Sequence, residues 1–102
     1  MTISETVGWL VQEISDLLDA GAVGLYEFVD ELNDPARPMP LDQRQVIARQ
    51  ALERLLGQGN VEIQRRRWGS FDNLGTVSPA DLPADPWRGP GEDGEYLAIV
   101  RS

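Results

Sequence analysis

The apolar pattern of this chain changes period once, between Leu56 and Val61, and no other feature restricts the fold as much. Before the change, apolar residues recur every third or fourth position. After it they alternate. Side chains repeat about every 3.6 residues on a helix and every 2 on a strand. The chain is therefore expected to place its helices first and its strands last, which is an α+β arrangement rather than an alternating one.

Three helices are expected. In the first, Ser4 reads as the N-cap with Glu5 in the first turn. Val7, Leu10, Val11, Ile14, Leu17 and Leu18 form one stripe, and Gly21 ends the helix. The second carries Leu25, Phe28, Val29 and Leu32, with Glu27, Asp30 and Glu31 toward water. NDPARPMP has three prolines in eight residues and must be a loop. Asp42 reads as the cap of the third helix, with Leu41 as a staple. Ile47, Ala48, Ala51, Leu52, Leu55 and Leu56 are its inner face, and Arg44, Arg49 and Arg54 lie on its outer one.

VEIQRRRW alternates. Val61 and Ile63 share a face that Arg65 and Arg67 continue, while Arg66 and Trp68 point the other way. At ~3.3 Å per residue Arg67 lies roughly 20 Å from Val61, so this strand is expected to run out of the core. Residues 69–94 hold four prolines and five glycines and read as one long irregular loop. EYLAIVR reads as a second strand, antiparallel to the first. The expectation is one domain over residues 1–102: three N-terminal helices followed by a two-stranded antiparallel hairpin with a long irregular loop.

That element order resembles a winged-helix domain. The resemblance implies that the third helix takes the place of a recognition helix and the 69–94 loop the place of a wing, although wings are usually much shorter. The size, the acidity and the missing catalytic side chains also resemble the small immunity proteins of bacterial polymorphic toxin systems. That likeness implies a cytoplasmic domain that binds and blocks one toxin.

Absences narrow the chemistry. The chain has no His, Cys or Lys, and all nine basic residues are Arg. Imidazole bases, thiolates, Schiff bases, disulfides and the usual zinc ligands are excluded. GPGEDGE lacks the Lys and following Ser/Thr of a phosphate-binding loop. No catalytic residue, metal site or cofactor is assigned. No apolar run approaches the ~18 residues of a membrane helix. The first residues lack the positive region of a signal peptide, so a cytoplasmic location is expected, with no membrane partner.

Charge is segregated within the formal net charge of −8. Residues 1–40 hold eight acids and one base, residues 41–69 six bases and three acids, and residues 70–102 six acids and two bases. Two functional readings follow. In the first, a basic protein partner, such as a toxin domain, binds Asp30, Glu31 and Asp34 beside the proline loop, and Asp81, Asp85, Glu92 and Asp93 around Trp87. In the second, a transcriptional regulator binds duplex DNA through Arg44, Arg49, Arg65, Arg66 and Arg67. Each residue also has a plain structural reading. Trp87 would fold back over the core and anchor its loop. The arginines would pair with the chain's own carboxylates or shield a sheet edge.

Overall fold

In the computed structural model, which describes residues 2–70 and 72–102, helix α1 (Ile3–Leu18) leads into a two-residue strand β1 (Val23–Gly24) and a short helix α2 (Leu25–Asp30). Helix α3 (Leu41–Gly57) follows the proline loop. Strands β2 (Val61–Arg67), β3 (Asn73–Val77) and β4 (Glu95–Arg101) complete the chain, with a 3-10 turn at Pro79–Asp81.

The strands form one four-stranded antiparallel sheet in the order β1-β4-β2-β3. The class is α+β, but the expected two-stranded hairpin is corrected by this sheet. β2 and β4 do pair, with Ile63 opposite Ile99 and Arg65 opposite Leu97. Each also has a second neighbour. β1 adds to β4 with Val23 opposite Ile99, and β3 adds to β2 with Ile63 opposite Val77. Two residues are too few to show a period, so β1 carries no sequence signal. Where β3 pairs with β2 the register shifts, Arg65 lying opposite Gly75 and Arg66 opposite Asn73, and Gly75 sits at φ 132°. A bulge of this kind breaks the alternation that marks a strand. The expected 69–94 loop therefore contains a strand and a 3-10 turn, and its irregular part begins only after Asp81.

Two helix starts also differ from expectation. Thr2, rather than Ser4, caps α1: its hydroxyl accepts the Glu5 N–H at 3.1 Å. α3 begins at Leu41 behind Pro40 with no side-chain cap, and Asp42 lies in its first turn. α2 is held at its entry by Glu27, whose carboxylate accepts the Gly24 N–H at 2.6 Å.

The core lies between the helices and the sheet face that carries Val61, Ile63, Ile99 and Val23. α1 contributes Val7, Leu10, Ile14 and Leu18, while Leu17 is 37% exposed and stands outside the expected stripe. Leu25, Phe28, Val29 and Leu32 are all buried, as are Ile47, Ala48, Ala51, Leu52 and Leu55 of α3. Trp87 completes this core at 7% exposure, its ring centroid 6.2 Å from that of Phe28. On the opposite sheet face a polar row covers β2. Arg66 donates to Gln64 (2.8 Å), Gln64 donates to Glu62 (3.1 Å), and the Thr76 hydroxyl donates to Glu62 (3.4 Å). Gln64 is thereby satisfied although nearly buried. Among the described residues, no helix is long and apolar enough to cross a membrane.

Candidate interaction site

α1 sets the first wall of a surface groove. Its buried stripe turns Val7 and Leu10 inward, and at about 100° per residue this rotates Trp9 off the core. The Trp9 ring is 40% exposed. Thr6 and Trp9 face Glu31, Leu32 and Asp34 at the end of α2, Arg37, Pro38 and Met39 of the proline loop, and Gln43 of α3. The groove encloses about 550 Å³. Its loop wall is internally bonded. The Asp34 carboxylate accepts the Ala36 N–H (2.9 Å), its carbonyl accepts the Arg37 N–H (3.0 Å), and Arg44 donates from Nε to the Met39 carbonyl (3.2 Å). A short Asp side chain closing a turn on its own backbone is a common way to stiffen such a loop.

The groove's electrostatics are negative. Burial pushes the Glu31 carboxyl above the usual carboxylate range, and the carboxylates of Glu13, Glu27 and Asp30 push it the same way. Glu13 comes from α1 and the others from α2 and its end, and the packing of both helices against α3 brings Glu13, Glu27 and Asp30 within electrostatic reach of Glu31. Asp30 is exposed at the last position of α2 and acts through this field; it does not line the groove.

A second groove, of about 420 Å³, runs between the sheet and residues 81–93. Asp81, Asp85 and Asp93 meet there with Glu95, but Arg65 and Arg88 line it too. The Asp93 carboxyl is held below its usual range, chiefly by the Glu95 backbone N–H it accepts at 2.9 Å and to a smaller degree by Arg67. Glu92 lies with Tyr26, Arg67 and Trp68 around a shallower depression nearby. Tyr96 packs edge-on against Tyr26 (5.9 Å) and Trp68 (6.4 Å), and burial, more than the neighbouring Glu27, raises the Tyr26 phenol. Trp87 belongs to neither groove. Its ring is buried, with the Arg49 guanidinium 6.0 Å from its centroid.

The arginines do not converge. Arg65 and Arg67 project from one face of β2 and Arg66 from the other, as the strand period requires. Arg44 is engaged with Met39 and Arg49 sits over Trp87. Five positions apart on a helix, these two are about 140° apart around its axis. The expected pairing of arginines with the chain's own acids is seen at Arg101 and Asp19 (3.0 Å), outside the basic middle.

Sequence reasoning passed over Trp9, Arg37, Glu13, Glu27 and Glu95. The signal for Trp9 was present, because a large aromatic off the apolar stripe of an amphipathic helix has to face outward. Among the described residues, no group of three or more His, Cys, Asp or Glu side chains is arranged to hold a metal ion. Comparison of the chain with protein-family models, with curated protein sequences and with solved structures produced no match.

Proposed function

We propose that this chain is a non-catalytic, cytoplasmic, acidic protein-binding module of the immunity or antitoxin type, which neutralises a basic toxin domain by covering its substrate-binding surface. One observation carries the reading. Of the 17 acidic residues, only Asp19 forms an ion pair among the described residues. With a formal net charge of −8, the negative field acts outward. A surface potential of this sign speeds encounter with a basic protein and fixes its register, and it repels phosphate backbones.

The test is co-expression with the product of the adjacent reading frame. The expected result is a 1:1 complex that withstands gel filtration at physiological salt, dissociates as salt is raised, and restores growth that the partner alone arrests. Absence of both complex and rescue refutes the reading. Salt-sensitive binding of mixed duplex DNA, lost on Arg49→Ala and Arg66→Ala, would replace it with the nucleic-acid reading.

A further inference from the structure

We infer that the groove around Trp9 is the surface this module uses, and that its occupant is an amphipathic, arginine- or lysine-bearing segment of the partner protein whose apolar side chains cover Trp9 while its cations meet Glu31 and Asp34. The inference rests on the protein-binding reading above and names the surface and the chemistry of its partner.

The groove pairs an apolar floor with an acidic rim. Leu32 is 5% exposed and Met39 half-buried, so both have only an edge left to offer, and Trp9 supplies the large apolar surface. Tryptophan in a partly enclosed pocket is the residue type that most often dominates an interface. Arg37 is the one base on the lining, against Glu31 and Asp34. Glu13, Glu27 and Asp30 stand behind Glu31 and bear on it electrostatically. A cation brought to this rim relieves repulsion among carboxylates that the fold has placed together, whereas an anionic segment adds to it. The groove is also largely formed in advance, because the Asp34 turn and the Arg44–Met39 bond fix the loop wall. Less ordering on binding leaves more of the contact free energy as affinity.

The other surfaces fit less well. The groove under residues 81–93 mixes Arg65 and Arg88 with its acids, and the tryptophan of that segment is buried. A second copy of this chain offers arginines that β2 sends to opposite faces, so it presents no single basic stripe to this rim.

The probe is a synthetic helix-forming peptide of leucine and arginine, about 18 residues and roughly 27 Å long. Two controls accompany it, one with serine for leucine and one with glutamate for arginine. Backbone amide and indole NMR signals of the full chain are followed during titration. The Leu/Arg peptide is expected to shift Thr6, Trp9, Glu31, Asp34 and Met39, and both controls to bind at least about tenfold more weakly. Trp9→Ala, and separately Glu31→Gln with Asp34→Asn, should each weaken binding roughly tenfold without a large fall in the unfolding midpoint. Shifts clustered at residues 81–95, full affinity in both variants, or no peptide binding overturns the groove assignment. So does a dimer seen by light scattering that Trp9→Ala dissociates, which would give the groove to a second copy. Each of these leaves the wider reading standing if the adjacent gene product still binds. Failure of that complex sinks both.

Discussion

Trp87→Ala separates a folded covering segment from a loose recognition loop. Burying a tryptophan removes roughly 200 Å² or more from water, worth about 5 kcal/mol at ~25 cal/mol per Å². Compactness of the unfolded chain reduces that by roughly a quarter. The tilted pair with Phe28 at 6.2 Å and the Arg49 contact at 6.0 Å each add on the order of 0.5 kcal/mol. Partial collapse of the 82–94 segment into the vacated space offsets part of this. The expected loss is ~3–5 kcal/mol, in line with large-to-small core substitutions generally. That is a large share of the ~5–15 kcal/mol such a chain has in total. In urea, followed by circular dichroism, the midpoint should fall by about 2 M or more at an unchanged slope near ~1.5 kcal/mol/M. Trp87→Phe should recover most of the loss. An exposed interface tryptophan would change stability by only about 0.5 kcal/mol. A measured loss under ~1 kcal/mol would therefore refute the placement of Trp87 in the core.

Four further outcomes are expected. Gly24→Ala puts a Cβ 2.5 Å from the Tyr26 ring, which Tyr96 flanks edge-on, so denaturation should report a loss of ~1–3 kcal/mol that Tyr26→Ala in the same chain largely relieves. Glu27→Ala removes the acceptor of the Gly24 N–H and should cost about 1 kcal/mol, with faster hydrogen exchange across α2. Because Glu31 keeps its proton to higher pH in the folded state than in the unfolded one, its contribution falls as pH rises through the folded value. Glu31→Gln should therefore raise the thermal midpoint near about pH 7 and leave it unchanged near about pH 3, where both states are protonated. Arg101→Ala breaks an ion pair whose partners are 43% and 71% exposed, and should cost no more than ~1 kcal/mol by urea titration, less at high salt.

Periodicity carried the helices and two strands. Phe28, Ile47 and Leu55 announce their burial through spacing alone, and Ile63 and Ile99 through alternation. The same logic located Arg65 and Arg67 opposite Arg66. It failed where an element is too short or too irregular to repeat. β1 is two residues long, and Gly75 with its bulge hides β3. Both N-caps were misplaced by two residues because Thr2, Ser4 and Asp42 are all chemically able to cap, and only the backbone path selects the helix start.

For the candidate site, the amino-acid sequence by itself determined the ingredients. It set the net charge of −8, the acids at Glu31 and Asp34, and a proline loop beside them. It also ruled out imidazole, thiol and amine chemistry, since a side chain that is absent cannot act. Tertiary structure alone decided the grouping. Glu13 and Glu31 lie 18 positions apart and share a field only because α1 and α2 both pack on α3. Spacing turns Trp9 outward, but only the fold makes it line a groove and makes Trp87 fill the core. The physical reason is the same in both cases. Local periodicity says which face of an element turns inward, while the partner that meets each face is chosen by packing between segments far apart in the chain.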